Sequence, residues 1–225
     1  MTHQRRQRGQ SMVEFCIVVP LFLFLCLLVL QLVLIYRAKS TLDYAALEAA
    51  RAGAVSGVDH DQMHNGLARG LAPLWVSQTS TAHVLYVRQV TMLREKKAPY
   101  SQLKVLSPTP AMWSDFRERQ YDGSYALPND TLAFRPTHIG SGGATVQDAN
   151  ILRIQVRYQF PLIVPFVDRV LIGVSRLLNN GPDYRPTDAP FLWAKDPVTG
   201  HYRLPLVSTA EVRLQSPVYD RGNLR

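Results

Sequence analysis

Three short stretches of this 225-residue chain bring together residue types that could do chemistry. In the first, Gly9-Gln10-Ser11-Met12-Val13-Glu14-Phe15, one carboxylate stands five residues after a glycine. It sits at the lip of a run, Phe15 to Tyr36, that contains no Asp, Glu, Lys, Arg or His. A glycine before a bond leaves the backbone unhindered and non-helical, so a peptidase can grip it extended. An apolar run of about 20 residues spans a bilayer, and a carboxylate beside it is costly enough to imply a task. In the second stretch, His60 and His64 stand at i,i+4 beside Asp59 and Asp61, a spacing able to hold a metal. The Glu of an H-E-x-x-H motif is missing and no third ligand can be located, so this reads as a solvated helix start. The third, Gly140-Ser141-Gly142-Gly143, lacks the Lys-Ser/Thr that would make it a phosphate-binding loop and reads as a flexible connection. No G-x-S-x-G elbow occurs, and both cysteines, Cys16 and Cys26, lie in the apolar run, so no Cys/His pair is available outside it. The expectation is a protein that is not an enzyme and has no cofactor and no metal.

The elements that position the first stretch come next. Arg5, Arg6 and Arg8 precede it, with no acid among the first nine residues. The apolar run is longer than the roughly 7–15 residues of a cleaved secretory signal and has no A-x-A-like site after it, so it reads as a retained anchor. The upstream arginines favour a cytoplasmic N-terminus, a bias weakened by Arg37 and Lys39 on the far side. Cys16 and Cys26, roughly 15 Å apart on a helix, are too far apart for a disulfide and read as small apolar packers. The alanine-rich Ser40–Val55 stretch, with Lys39/Asp43 at i,i+4 and Glu48/Arg51 at i,i+3, continues the helix. The result is one rod of roughly 60–65 Å, expected to bend near Pro20 and to end at Gly53, Ser56 and Gly57.

Beyond it, Asp59 is placed to cap a short helix carrying Met63, Leu67 and Leu71 and stopped near Pro73. Residues 82–94 are ambiguous between helix and strand, with helix preferred. Ser101–Leu106 alternates, a short helix is expected over Pro110–Arg119, and Ala126–Ala149 reads as loop. Ile151–Phe160 is the clearest strand, Leu152, Ile154, Val156, Tyr158 and Phe160 against Arg153, Gln155, Arg157 and Gln159. Leu206–Gln215 alternates likewise, and one wet face implies an antiparallel sheet. Asp168 is placed to cap an amphipathic helix with Val170, Leu171, Val174, Leu177 and Leu178 on one face, ended by Asn179-Asn180-Gly181-Pro182. For this helix and the apolar Phe160–Val167 before it, the preferred reading is closure of the core against the long helix. Resting on the membrane surface or meeting a neighbouring subunit are the alternatives.

Net charge is +8, of which three charges come from Arg5, Arg6 and Arg8, so a chain cut after Gly9 would carry +5 (8 − 3). The remaining basic residues are scattered without the aromatic interleaving that reads nucleic acid, which argues against that partner.

Gly9 to Phe15 resembles the leader of type IV pilins and pseudopilins, with cleavage between Gly9 and Gln10 and Glu14 as the fifth mature residue. R-G-Q-S-M-V-E-F-C-I-V-V-P, followed by Y-R-A-K-S-T-L-D-Y-A-A-L-E-A-A-R-A-G-A-V, resembles more narrowly the TadE-like pseudopilins of the tight-adherence (Tad), or type IVb, pilus system. The resemblance covers Gly9–Val55, and the later strands fit it loosely. Phe15 stands where the major pilins of that system carry tyrosine, which suits a minor, pilin-like role. The resemblance implies cleavage by a prepilin peptidase, methylation of the Gln10 amine, and pairing of Glu14 with the amine of Gln10 on a neighbour. Gln10, Glu14 and Phe15 would thus serve assembly. The alternative for Glu14 is a headgroup-zone residue of an ordinary anchor.

The expected architecture is α+β: a leader over residues 1–9, a transmembrane and extended helix over 10–56 with its span at about 15–36, and a periplasmic domain over 57–225 with a small antiparallel sheet and packed helices. The expected function is assembly of a Tad-type pilus from the bacterial inner membrane, single-pass, with other pilins and the pilus machinery as partners and incorporation into the fibre possible. The alternative is an uncleaved, signal-anchored periplasmic scaffold or binding protein.

Overall fold

The computed structural model describes residues 10–75, 101–164, 166–179 and 202–224. The ambiguous stretch over residues 82–94 lies outside them. Helix α1 (Gln10–Ser56) runs unbroken for 47 residues, with Pro20 inside it. At 1.5 Å per residue this is about 70 Å. Two residues with positive φ, Gly57 (+69°) and Val58 (+66°), end it. The Val58 amide returns to the Gly53 carbonyl at 2.8 Å, closing the last turn. A Cβ on Gly57 would lie 2.8 Å from the Pro217 carbonyl oxygen, so that position needs glycine for space as well as for φ.

The chain folds as two compact units, one over residues 38–159 and 205–225, the other over residues 1–37 and 160–204. The first is built on the alanine-rich half of α1. Ala38, Leu42, Ala45, Ala46, Ala49, Ala50 and Ala54 are fully buried there. Helix α2 (His60–Leu71) starts at Asp59, whose carboxylate accepts from the Asp61 amide. It buries Met63, Leu67 and Leu71. Its Gly66 and Gly70 meet α1 directly: a Cβ on Gly66 would fall 2.8 Å from the Glu48 carbonyl oxygen, and one on Gly70 would fall 2.3 Å from the Ala45 Cα. Small residues on both helices therefore set the approach of the two backbones. A 3-10 turn, Ala72–Leu74, follows.

The sheet of this unit holds β1 (Ser101–Ser107), β4 (Ile151–Pro161) and β5 (Arg203–Arg213) in the order β1-β4-β5. β1 and β4 are antiparallel, with Leu103 opposite Val156 and Val105 opposite Ile154. β4 and β5 are antiparallel too, since the Leu214 amide bonds the Asn150 carbonyl and Arg153 pairs with Glu211 at 2.5 Å. Leu152, Ile154, Val156 and Tyr158 are buried while Arg153 is exposed, the two faces that alternation predicts, but Gln159, expected on the wet face, is buried as well, so the alternation ends there. The α+β expectation holds: one long helix, a small antiparallel sheet and several helices.

Three local expectations need correction. The helix after Thr109, α3, covers Pro110–Phe116 only. Glu118–Arg119 is instead β2 of a two-stranded hairpin with β3 (Tyr125–Ala126), fixed by Arg135, which pairs with Glu118 at 2.5 Å and Asp130 at 2.9 Å. The stretch between β3 and β4 contains a 3-10 turn, Leu132–Phe134, and a short helix, α4 (Val146–Ala149), capped reciprocally by Thr145 and Asp148. The Gly140–Gly143 segment is pinned, not loose. Asp115 accepts from the Ser141 hydroxyl at 2.6 Å and the Gly142 amide at 2.9 Å, and these bonds, the hydroxyl's foremost, hold its carboxyl below the usual range.

In the second unit, helix α5 (Val167–Asn179) begins one residue before Asp168, so Asp168 lies in its first turn and not at its cap. There its buried side chain accepts from the Arg169 amide. The preceding turn buries Leu162, Val164 and Val167 but leaves Ile163 and Phe166 exposed. Core closure therefore describes part of this segment, and two of its apolar side chains lie outside that core.

Candidate functional site

The N-terminal half of α1 is apolar on every side and almost wholly uncovered. Met12, Val13, Phe15, Ile17, Val18, Leu21, Phe22 and Leu23 are all exposed. A helix apolar all round is stable only within lipid or among other apolar helices. α1 is long and apolar enough to cross a membrane. Pro20 brings no amide hydrogen, so the Cys16 carbonyl lacks its helical partner. Cys16 and Cys26 are free thiols.

The residues singled out from sequence fall as follows. Gly9 lies outside the described residues. Gln10 is the first residue of α1, and Glu14 and Phe15 follow on its exposed first turns. Glu14 thus stands on a helix surface, one turn from the helix start, with the apolar run immediately after it.

Several of the described carboxylates and imidazoles elsewhere hold the fold together. The His60 ring lies 2.9 Å from the Asn223 carbonyl oxygen, tying α2 to the C-terminal 3-10 turn, Arg221–Leu224. Among the described residues no group of three His, Cys, Asp or Glu side chains is placed to hold a metal. A shallow depression lined by Leu132, Ala133, Gln147, Ile151 and Arg213 offers one amide and one guanidinium, with no nucleophile beside a base.

Residues 9–51 match the model of the TadE-like protein family. The match begins at the glycine before Gln10 and ends within the alanine-rich half of α1, which bears out the resemblance to TadE-like proteins of the tight-adherence pilus system. It covers about a fifth of the chain, the anchoring helix and its start, and leaves the sheet and the later helices outside. No curated protein and no solved structure matches the chain. The TadE-like segment is thus the part of the molecule for which a functional class is available.

Two functional-looking contacts escape a reading of that segment from sequence. Gln31 is fully buried, and its Oε1 accepts from the Val164 amide at 3.0 Å. The signal was present, because Gln31 is the one amide side chain between Phe15 and Tyr36. Asp43, read as a partner of Lys39, also accepts from the Ser208 hydroxyl at 2.6 Å. Burial raises the Asp43 pKa, but the bonds from Lys39 and Ser208 outweigh it, and the carboxyl is held below its usual range.

Proposed function

We propose that this chain is a pilin-like assembly protein of a tight-adherence pilus, made as a precursor and cut between Gly9 and Gln10 by a prepilin peptidase. The observation that carries the proposal is the TadE-like match starting at Gly9, on a long helix that is bare along its apolar half. The reasoning is physical. A bare apolar helix is satisfied by lipid before assembly and by the helices of other pilins after it. Glu14, inside such a helical bundle, needs a cation, because a buried carboxylate left alone is strongly unfavourable. The amine that cleavage would free on Gln10 of an adjacent copy or a related pilin supplies that charge at the right depth, and Phe15 packs beside it. In this reading the chain is a single-pass protein of the bacterial inner membrane with its N-terminus in the cytoplasm. The α+β portion faces the periplasm, where it meets the pilus machinery or the fibre.

N-terminal sequencing of the membrane-extracted protein from cells with and without the prepilin peptidase tests this. The expected result is a chain starting at Gln10 only when the peptidase is present. Gly9→Val should block the cut and leave the precursor membrane-bound. A chain starting at Met1 in both strains would favour the alternative of an uncut, signal-anchored scaffold, and a normal mature chain from Gly9→Val would refute cleavage that depends on Gly9.

A further inference from the structure

The turn between β4 and α5 is held at the depth of the membrane span. Gln31 lies five residues before Tyr36, the end of the apolar run, hence about 7 Å inside its outer edge on a helix rising 1.5 Å per residue. Its Oε1 bonds the backbone amide of Val164, so the turn's main chain stands beside α1 at that same depth. Both partners belong to one compact unit of the chain.

Irregular backbone is admitted to the apolar layer only if its polar groups are already met. Most of this turn's amide positions comply, while the Gln31 Nε2 beside it is buried without a hydrogen-bond partner among the described residues. Pro161 and Pro165 carry no amide hydrogen, the Leu162 amide donates to the Tyr202 carbonyl at 2.9 Å, and the Val164 amide donates to Gln31. Four of the positions 161–166 therefore present no free donor. The side chains pointing outward are apolar. Ile163 is 55% exposed and Phe166 69%, and the row continues down α5 with Val170 (43%) and Val174 (48%). Phe166, Val170 and Val174 are spaced i, i+4, i+8, one face of a helix. Phe166 has φ +66°, a left-handed conformation that is unfavourable for a bulky residue. That strained backbone holds its ring outward, where water would be its worst surrounding.

We infer that Ile163, Phe166, Val170 and Val174 enter the outer part of the lipid bilayer beside α1 as a second, non-spanning membrane contact. The exposed Arg169, between Phe166 and Val170, reaches back to the headgroup layer. Lipid is favoured over a partner protein because the turn's depth is fixed within this chain by a bond to the anchoring helix. Such a contact would limit rotation and tilt of the chain at the membrane surface before any assembly. It depends on α1 spanning a membrane and not on the pilus reading.

The test places an environment-sensitive fluorophore on single cysteines in the full chain, with Cys16 and Cys26 replaced by serine, reconstituted in phosphatidylcholine/phosphatidylglycerol vesicles. Labels at positions 163, 166 and 170 should show blue-shifted emission, quenching by brominated acyl chains and protection from aqueous iodide. A label at Phe134, exposed in the other unit, should behave in the opposite way. Iodide quenching at 166 equal to that at 134 would overturn the inference. So would disulfide formation between position-166 cysteines of two chains that rises with protein density and removes the brominated-lipid quenching, since the occupant would then be a second copy.

Discussion

Replacing Gly70 by alanine tests the contact on which the first unit is built. On an isolated helix the change should stabilise, since alanine is favoured over glycine by about 1 kcal/mol in a helix interior. In this protein the new methyl would lie 2.3 Å from the Ala45 Cα and 2.6 Å from the Ala45 Cβ. The obstacle is the backbone of another helix, which cannot swing aside as a side-chain tip can. α2 must lift from α1, loosening Met63, Leu67 and Leu71 together. Overpacking of this kind costs about 1–3 kcal/mol, and here it acts against the propensity gain. The expected net loss is up to about 2 kcal/mol, or up to roughly 8 °C in Tm for a chain of this size. Two further glycines serve as controls. A Cβ on Gly53 would meet the flexible Met63 side chain at 2.7 Å, so Gly53→Ala should cost less. Nothing lies within 4 Å of a Cβ on Gly173, so Gly173→Ala should only gain helix propensity. Thermal and urea melts of the full chain in detergent, followed by the fluorescence of the buried Trp113, would rank the three. A Gly70→Ala protein more stable than wild type by the full helix-propensity gain would refute the close approach of α1 and α2.

Other outcomes are expected. Glu14→Ala should be membrane-inserted and cut normally yet yield few surface fibres and little co-purified pilus protein; wild-type levels of both would make Glu14 a headgroup-zone residue. Val156→Asp puts a charge at a fully buried strand position and should unfold the unit, since such burial costs several kcal/mol against a total of roughly 5–15. Arg153→Ala removes only an exposed pair with Glu211 and should cost under about 1 kcal/mol; equal losses from these two changes, in the same melts, would show the faces of β4 to be misassigned. The depressed carboxyl of Asp43 contributes stability that is complete above its ordinary value of 3.8 and fades as pH falls through its lower folded value. Being half-exposed, it contributes under about 1 kcal/mol, and Ser208→Ala should shrink the acid-side loss in urea melts taken across that range.

Local rules were enough where the cause is local. The span of α1 follows from an unbroken apolar run and a run of alanines, the start of α2 from Asp59, and the faces of β4 from strict alternation. What the sequence hid depends on partners far along the chain. Alanine richness reads as helix propensity, yet its larger role is to let Gly66 and Gly70 approach, which shows only once α2 is docked. Gly140–Gly143 has the composition of a loose link, and only Asp115, 26 residues from Ser141, pins it. Ser208 reaches Asp43 across 165 residues, a pairing no spacing rule anticipates. The helix after Thr109 stops at Phe116 because Arg117 is extended and the chain then enters a hairpin whose second strand is unremarkable in composition. For the candidate site, the glycine-to-glutamate spacing was plain, whereas the role of Gln31 was not, since its partner is a backbone amide 133 residues away.

The continuity of α1 through Arg37 and Ala38 has a practical consequence for anyone wishing to work with the α+β part alone. Most tethered proteins offer a hinge or a stretch of loose chain at which a protease or a cloning primer can part head from tether. Here the border falls in mid-helix, between residues already bonded turn upon turn. A truncation starting at Gly57 would discard Leu42 and the buried alanines, and with them the seat of α2. A soluble version must therefore start near Ala38 and carry that stretch as its first structural element.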